Sequence, residues 1–500
     1  MQTMDSSVRF DQTAWQTEPY SCEIDMRKSG VTAHIVDTLR RRITTGTLTR
    51  GEKLPSIRGL AARNSVSPST IVEVYERLGA EGLITARPGS GYYVRETALQ
   101  DRPCSPRRYH AMDPFWVSRQ ALEADPAIMQ PGCGWLPEAW MPNAALSQAL
   151  RSIAKEVGPV MTGYGPAMGD QALREVLSRR WAEMQFFVPS EQILLTGSGT
   201  QAVDLVCRVM LKPGDCVIVD DPCYFNFRAL LDVHRVRVVG VPYGAEGPDI
   251  VVLGQILEQH SPRLYLTNSA IQNPTGGSLS LNAAHRILTL AQNHPLTIVE
   301  DDIFSDFAPQ GTASLGSLDG LSRVIRVGSF SKTLSASLRC GYIAAKPEII
   351  EALGDLQIAT GFSGVSPVAA SVVRHVLTGG AYRRHLDTLF GRLARARREC
   401  ANRLAAIGIV PEILPRGGFT LWCRLPEGRD ASALARLALE EGIVLAPGAV
   451  FSVSGSATTY MRFNVTQMAD PEIFLRLGAL MACLSPGSSG ASVAERGSPE

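Results

Sequence analysis

Val327-Gly328-Ser329-Phe330-Ser331-Lys332-Thr333 places a lysine among small hydroxyl residues at the end of an apolar run, with Arg339 seven residues on. An amine that attacks an aldehyde needs an uncrowded approach, and a phosphorylated aldehyde needs hydroxyl donors and a cation close by. The stretch therefore has the make-up of a Schiff-base lysine site. A Ser-x-Ser-Lys string alone is weak evidence, since most lysines are solvated surface charges. Its weight comes from the motifs found on either side.

Upstream of it the texture alternates between helical periodicity and short apolar runs. Ile193–Leu195, Val217–Val219, Val236–Val239, Leu264–Leu266, Ile298–Val299 and Val324–Val327 are candidate strands. Leu146, Leu150, Ile153 and Val157 mark one intervening helix. Apolar strands separated by helices predict a mostly parallel sheet buried on both faces, an α/β domain. From about residue 365 a smaller α+β segment is expected, running to about 484.

Several residues at the ends of these strands suit one phosphorylated pyridine aldehyde, pyridoxal phosphate (PLP). Asp301, after Val299-Glu300, can pair with a protonated pyridine nitrogen, although acidic strand ends commonly cap loops. Asn273, in Asn273-Pro274-Thr275-Gly276, can donate to a phenolic oxygen; as a bare turn signal it means little. The Gly197-Ser198-Gly199-Thr200-Gln201 turn offers backbone N–H groups and a helix dipole to a phosphate, as many βα turns do. Tyr224 offers a ring face, or is a core tyrosine. Arg462 is a cation within an apolar strand and needs a partner, for which a substrate carboxylate would serve.

The first hundred residues read differently. Ile35, Leu39 and Ile43 put one helix at 31–45. Pro55 is expected to open a second, Pro55 to Arg63, and Ser67 to cap a third, Pro68 to Leu78. Leu83 to Val94, with Pro88-Gly89-Ser90-Gly91 at its centre, reads as a hairpin. Helices followed by a two-stranded wing make a winged helix-turn-helix, with the third helix entering the major groove of DNA. Ser67, Ser69 and Thr70 at its start suit phosphates, Arg58 a phosphate or a guanine edge, and Arg87 the wing tip. For each residue taken singly, a cap or a solvated charge is an equal alternative.

Bulk properties agree with this division. The chain has 500 residues, 45% apolar, which allows two or three domains with large cores. The net charge is +1, yet Cys22 to Arg95 holds 12 Lys/Arg against 7 Asp/Glu, or +5 by count. Ten cysteines are scattered with no CxxC pair or metal-like cluster, so no metal is expected and the thiols read as reduced. The N-terminus has no basic start followed by an apolar run, and no stretch is long and apolar enough to span a bilayer. The expectation is a cytoplasmic protein with no membrane partner. The boundaries read as a flexible lead at 1–20, a DNA-reading domain at 21–95, a linker at 96–130, a PLP-binding domain at 131–484 and a disordered tail at 485–500.

Residues 31–95 resemble the DNA-binding domain of the GntR family of bacterial regulators, through Leu54-Pro55-Ser56-Ile57-Arg58 and Val74-Tyr75-Glu76-Arg77-Leu78. Pro68 stands where some relatives carry a base-reading arginine, so the operator does not carry over. Residues of about 130–484 resemble a fold-type I, class I/II aminotransferase. That resemblance implies that Lys332 bonds PLP, Asp301 its ring nitrogen, Asn273 its phenolic oxygen, and that Tyr224 stacks on the ring. It further implies that Ser198, Gly199, Thr200, Ser329 and Arg339 hold the phosphate, with Tyr164 reaching in from a second subunit of a homodimer. Arg462 would take an α-carboxylate. The fusion resembles the MocR subfamily, which implies a regulator binding operator DNA and sensing PLP or an amino-group effector; a working aminotransferase is the rival. Ile303 and Phe304 occupy the place of a tyrosine that relatives use beside the phenolic oxygen, which puts efficient transamination in doubt.

Overall fold

The computed structural model describes residues 31–44, 47–49, 51–95, 115–122, 128–155, 161–309 and 311–486. The N-terminal lead and, beyond 486, the C-terminal tail lie outside the described residues. The chain separates into two compact units, residues 1–109 and 110–500.

In the first unit, α1 (Val31–Thr44), α2 (Ile57–Asn64) and α3 (Pro68–Ala80) precede an antiparallel pair, β1 (Ile84–Arg87) and β2 (Gly91–Val94). Ile35 and Leu39, one turn apart on α1, bury against Leu60, Ile71, Val74 and Leu78. Pro55 does not open α2 as the sequence suggested. The helix begins at Ile57, and the Ser56 hydroxyl caps it by accepting from Gly59 N at 3.1 Å. A capping hydroxyl satisfies an orphan N–H, which proline lacks, so the serine takes the boundary. The Pro55 carbonyl accepts instead from Tyr75 Oη at 2.7 Å, which ties α3 to the entry of α2. At α3, Pro68 stands at the first turn and Ser67 caps it, as expected.

The second unit is built on an eight-stranded sheet. Its strands are β3 (Ile193–Thr196), β4 (Cys216–Asp221), β5 (Arg237–Gly244), β6 (Gly247–Pro248), β7 (Leu264–Thr267), β8 (Thr297–Asp301), β9 (Val324–Ser329) and β10 (Gly341–Ala344). Their spatial order is β3-β10-β9-β8-β7-β4-β5-β6. The pairs from β5 through β4, β7 and β8 to β9 are parallel, while β10 runs against both β9 and β3. Strand β10 went unmarked in the sequence because it opens on a glycine and leaves an apolar run of only three residues. A second sheet, antiparallel throughout, has the order β11 (Val410–Pro411), β12 (Thr420–Arg424), β14 (Tyr460–Asn464), β13 (Ala446–Pro447).

Of the stretch read as a linker, residues 115–122 and 128–130 are described. Trp116–Leu122 is helical, Trp116 and Val117 are buried in the core around the second sheet, and Met129 bridges to Ile443. Burying an indole and a valine draws Trp116–Leu122 onto the domain. Among the described residues no helix is long and apolar enough to cross a membrane.

Candidate functional site

In a parallel sheet, ligands gather beyond the carboxyl ends of the strands, where loops can face inward without breaking the ladder. Here those ends deliver one residue set to one cavity of about 440 Å³. Asp301 closes β8, Ser329 closes β9 and Lys332 follows it. Asn268 and Asn273 lie in the loop after β7. Tyr224 precedes the Phe225–Val233 helix after β4, and Ser198 caps the Gly199–Met210 helix after β3. Arg462 enters from β14 of the second sheet. Ser198, Gly199, Thr200, Tyr224, Asn273, Asp301, Ser329, Lys332, Arg339 and Arg462 all line the cavity.

Lys332 Nζ donates to the Gly134 carbonyl at 2.6 Å. Burial, and then the Arg462 cation, lower its pKa to about 8, against which Cys133 and Asp301 pull upward. Burial raises the Asp301 carboxyl to about 6, opposed by hydrogen bonds from Ile303 N and Asn268 and by the Lys332 charge. Arg462 is 1% exposed; its Nη1 donates to Asn273 Oδ1 at 2.9 Å and its Nη2 to the Gly132 carbonyl at 2.7 Å. Burial lowers its pKa to about 10. The Asn273 amide nitrogen remains available to a ligand.

The turn expected to hold a phosphate has its own bracing. Ser198 Oγ accepts from Gln201 N at 3.0 Å, and Gly197 N donates to Gln201 Oε1 at 2.6 Å. Across the turn, Ser329 Oγ donates to the Cys340 carbonyl at 3.1 Å and meets Ser331 Oγ at 2.8 Å. Arg339 stands in the left-handed region, φ 49°, a conformation non-glycine residues adopt at a cost. Gly341 is what lets β10 pass beside this turn: a Cβ there would lie 2.6 Å from the Ser198 carbonyl carbon and 2.9 Å from Gly199 N. Gly341→Ala should therefore push the turn off its position and weaken PLP binding at least about tenfold, the equivalent of 1.4 kcal/mol, in equilibrium dialysis.

Tyr164 does not line this cavity. It is 87% exposed, with its ring 5.6 Å from that of Phe362. The residues singled out for DNA lie in the first unit. Ser67, Ser69 and Thr70 form one hydroxyl cluster at the start of α3, with Ser67 Oγ 2.7 Å from Ser69 Oγ and 2.8 Å from Thr70 Oγ1. Arg58 is exposed on α2, and Arg87, also exposed, lies 4.5 Å over the Tyr93 ring on the wing. Ile303 and Phe304 both line the cavity, and Phe304 packs edge-on against Phe419 at 5.7 Å.

Sequence reasoning missed Asn268, Ser331 and the Gly134 carbonyl. Asn268 is the more telling. It is buried, its Nδ2 donates to the Asp301 carbonyl at 3.2 Å, and its Oδ1 lacks a partner among the described residues. A polar residue directly after an apolar strand was the available signal. Gly134 offered none, because its role lies in a backbone carbonyl.

Comparison with known proteins gives these geometries a family. Residues 31–94 match the model for bacterial regulatory proteins of the gntR family, and residues 137–475 match aminotransferase class I and II. The chain is 28% identical over 443 residues to the protein described as uncharacterized HTH-type transcriptional regulator YdcR of Escherichia coli (strain K12), covering 86% of this chain and 94% of that protein. It is 32% identical over 355 residues to a 2-aminoadipate transaminase of Thermus thermophilus, covering 69% of this chain and 86% of that protein. The crystal structure of LysN, an alpha-aminoadipate aminotransferase of Thermus thermophilus complexed with N-(5'-phosphopyridoxyl)-L-leucine, superposes with a TM-score of 0.67 at 28% identity. That match covers 73% of this chain and 94% of that one. The α/β unit and its lysine-bearing cavity thus have a family: the chain belongs to aminotransferase class I and II, with a gntR-family DNA-binding domain ahead of it.

Proposed function

We propose that this protein is a cytoplasmic, PLP-dependent transcription regulator, in which the state of the Lys332 cavity sets the DNA affinity of the N-terminal reader. The observation that carries this reading is the fusion itself: a gntR-family reader with an exposed α3 start precedes a cavity that retains Lys332, Asp301 and Arg462. A relative described as a transcription regulator spans the same two parts over most of its length. A ligand shifts such an equilibrium only by binding the two conformations with different affinity.

The residues fit PLP. Hydroxyls and backbone N–H groups meet at the start of the Gly199–Met210 helix with Arg339 nearby, which suits a phosphate dianion. Asp301, costly to ionise because it is buried, becomes favourable as a carboxylate beside a protonated ring nitrogen. Bound there, PLP supplies an aldehyde for imine exchange and an electron-withdrawing ring. Lys332, its pKa lowered to about 8 by burial and Arg462, presents a larger neutral, nucleophilic fraction at ordinary pH than a solvated lysine does. Tyr224 gives the ring a face, Asn273 Nδ2 a donor for its phenolic oxygen, and Arg462 holds an effector's carboxylate. Tyr164, exposed in one chain, would complete the phosphate site of a second copy, so the working unit is a homodimer addressing two half-sites. Sedimentation as a monomer at micromolar concentration with PLP fully bound would rule that out.

The rival, an active aminotransferase, draws on the 32% identity to a transaminase. Phe304 argues against it. A phenylalanine in the cavity wall leaves the phenolic oxygen without a hydroxyl donor and packs into an aromatic cluster that holds it in place. Proton transfers depend on how the ring is polarised, so they suffer more than binding does. Phe304→Tyr should raise the rate of conversion to the pyridoxamine form roughly tenfold or more in stopped-flow absorbance, a donor added to an existing packing contributing less than the roughly hundredfold of a fully preorganised one. Multiple rapid turnovers by the unaltered protein with a keto acid would instead make it an enzyme. The decisive test of regulation is footprinting on DNA flanking the gene, with and without PLP. Protection that changes with PLP is expected, and no protection in either state refutes the reading.

A further inference from the structure

Among the described residues, Arg462 is a buried cation without an anion. Its two hydrogen-bond acceptors, Asn273 Oδ1 and the Gly132 carbonyl, are neutral, and its Nε has no partner. A guanidinium has five N–H donors, so three remain. Such a charge is tolerated when the site is completed by an anionic ligand held by those donors. Gly134 fixes how far that anion lies from the amine. Its carbonyl accepts from Lys332 Nζ, and a Cβ on it would stand 3.7 Å from Arg462 Nη2. Amine and guanidinium thus face one another across a single glycine, which calls for an amino group and a carboxylate on a short skeleton.

The rest of the cavity limits what that skeleton carries. Its described cations are Lys332, Arg339 and Arg462, and its one described carboxylate is Asp301. With the aldehyde assigned to Lys332, the phosphate to Arg339 and the ring nitrogen to Asp301, no counter-charge remains among this chain's described lining residues for an ionised side chain on the ligand. Apolar side chains in its lining include Trp135, one residue from Gly134, Ile303 and Phe304, just beyond Asp301, and Leu122. A second carboxylate or an ammonium lodged there would lose its hydration with nothing in return. We infer that the effector is an α-amino monocarboxylate with an apolar side chain, of the leucine, methionine or phenylalanine kind. This rests on the amino-group reading above.

The test titrates PLP-loaded full-length protein with leucine, phenylalanine, methionine, aspartate, glutamate, lysine and isoamylamine, which is leucine without its carboxylate. Cofactor absorbance and the thermal unfolding midpoint are read together. The apolar amino acids should bind at least tenfold more tightly than aspartate, glutamate or lysine, and leucine at least tenfold more tightly than isoamylamine. Arg462→Gln should remove the second margin, bringing leucine down to isoamylamine. Aspartate, glutamate or lysine binding as tightly as leucine overturns the inference and leaves the amino-group reading standing. Silence from every amine overturns both.

Discussion

Lys332→Ala protein treated with PLP and then borohydride should carry no cofactor on its peptides, whereas the unaltered protein should yield it on the peptide containing Lys332. The amine is the only lysine among the described residues lining the cavity, and it faces the Asp301 and Arg462 side chains whose charges tune it. Loading should also follow pH in a particular way. Only the neutral amine attacks an aldehyde, and with a pKa lowered to about 8 its neutral fraction falls roughly tenfold per pH unit below that. The rate of PLP uptake by apo-protein should therefore rise up to about pH 8 and flatten, while a solvated lysine would keep rising to roughly pH 10. Cofactor retained on another lysine in the variant would remove the assignment. A loading rate still climbing above about pH 9 would remove the electrostatic account of it.

The second large effect belongs to the reader. If α3 docks in a major groove with its hydroxyl cluster on phosphates and the reader's arginines neutralising others, counterion release governs affinity. If the bound reader neutralises roughly six to ten phosphates, operator binding should fall by roughly 10³–10⁵ between 50 and 200 mM salt. Arg58→Ala should cost about 1–3 kcal/mol on the operator if the guanidinium reads a guanine edge. Were it only a phosphate contact, specific and non-specific DNA would weaken alike, with the salt slope shallower by about one. Fluorescence anisotropy with operator and scrambled duplexes over a salt series separates the two. Affinity independent of salt would refute the docking mode altogether.

What was legible in the sequence was legible for local reasons. Ser67 and Pro68 announce α3 because a capping hydroxyl and a fixed φ act within one turn, and the structure begins the helix there. Arg462 stood out because a cation in an apolar strand needs an explanation, and burial at 1% exposure makes the need plain. Pro55 misled because two local signals adjoin, and the neighbouring serine, which satisfies an N–H, is the stronger. Which part of the 96–130 stretch packs was not legible, because Trp116 and Val117 find their partners near residues 421–477, hundreds of positions away. Asn268 was hidden for a similar reason. Its worth lies in a contact with Asp301, on the next strand of the sheet rather than the next stretch of chain.

The hydrogen bond from Arg462 to Asn273 joins a strand of the small sheet to a loop of the large one. On the proposed function its two ends serve different ligands, the effector's carboxylate and the cofactor's phenolic oxygen. One amide then answers to both, since turning it to favour either ligand alters what it offers the other. Thermodynamic linkage makes the influence mutual: by whatever factor the effector tightens PLP, PLP tightens the effector. The protein would then behave as a coincidence detector, reporting the joint presence of a vitamin-derived cofactor and a nutrient rather than the level of either.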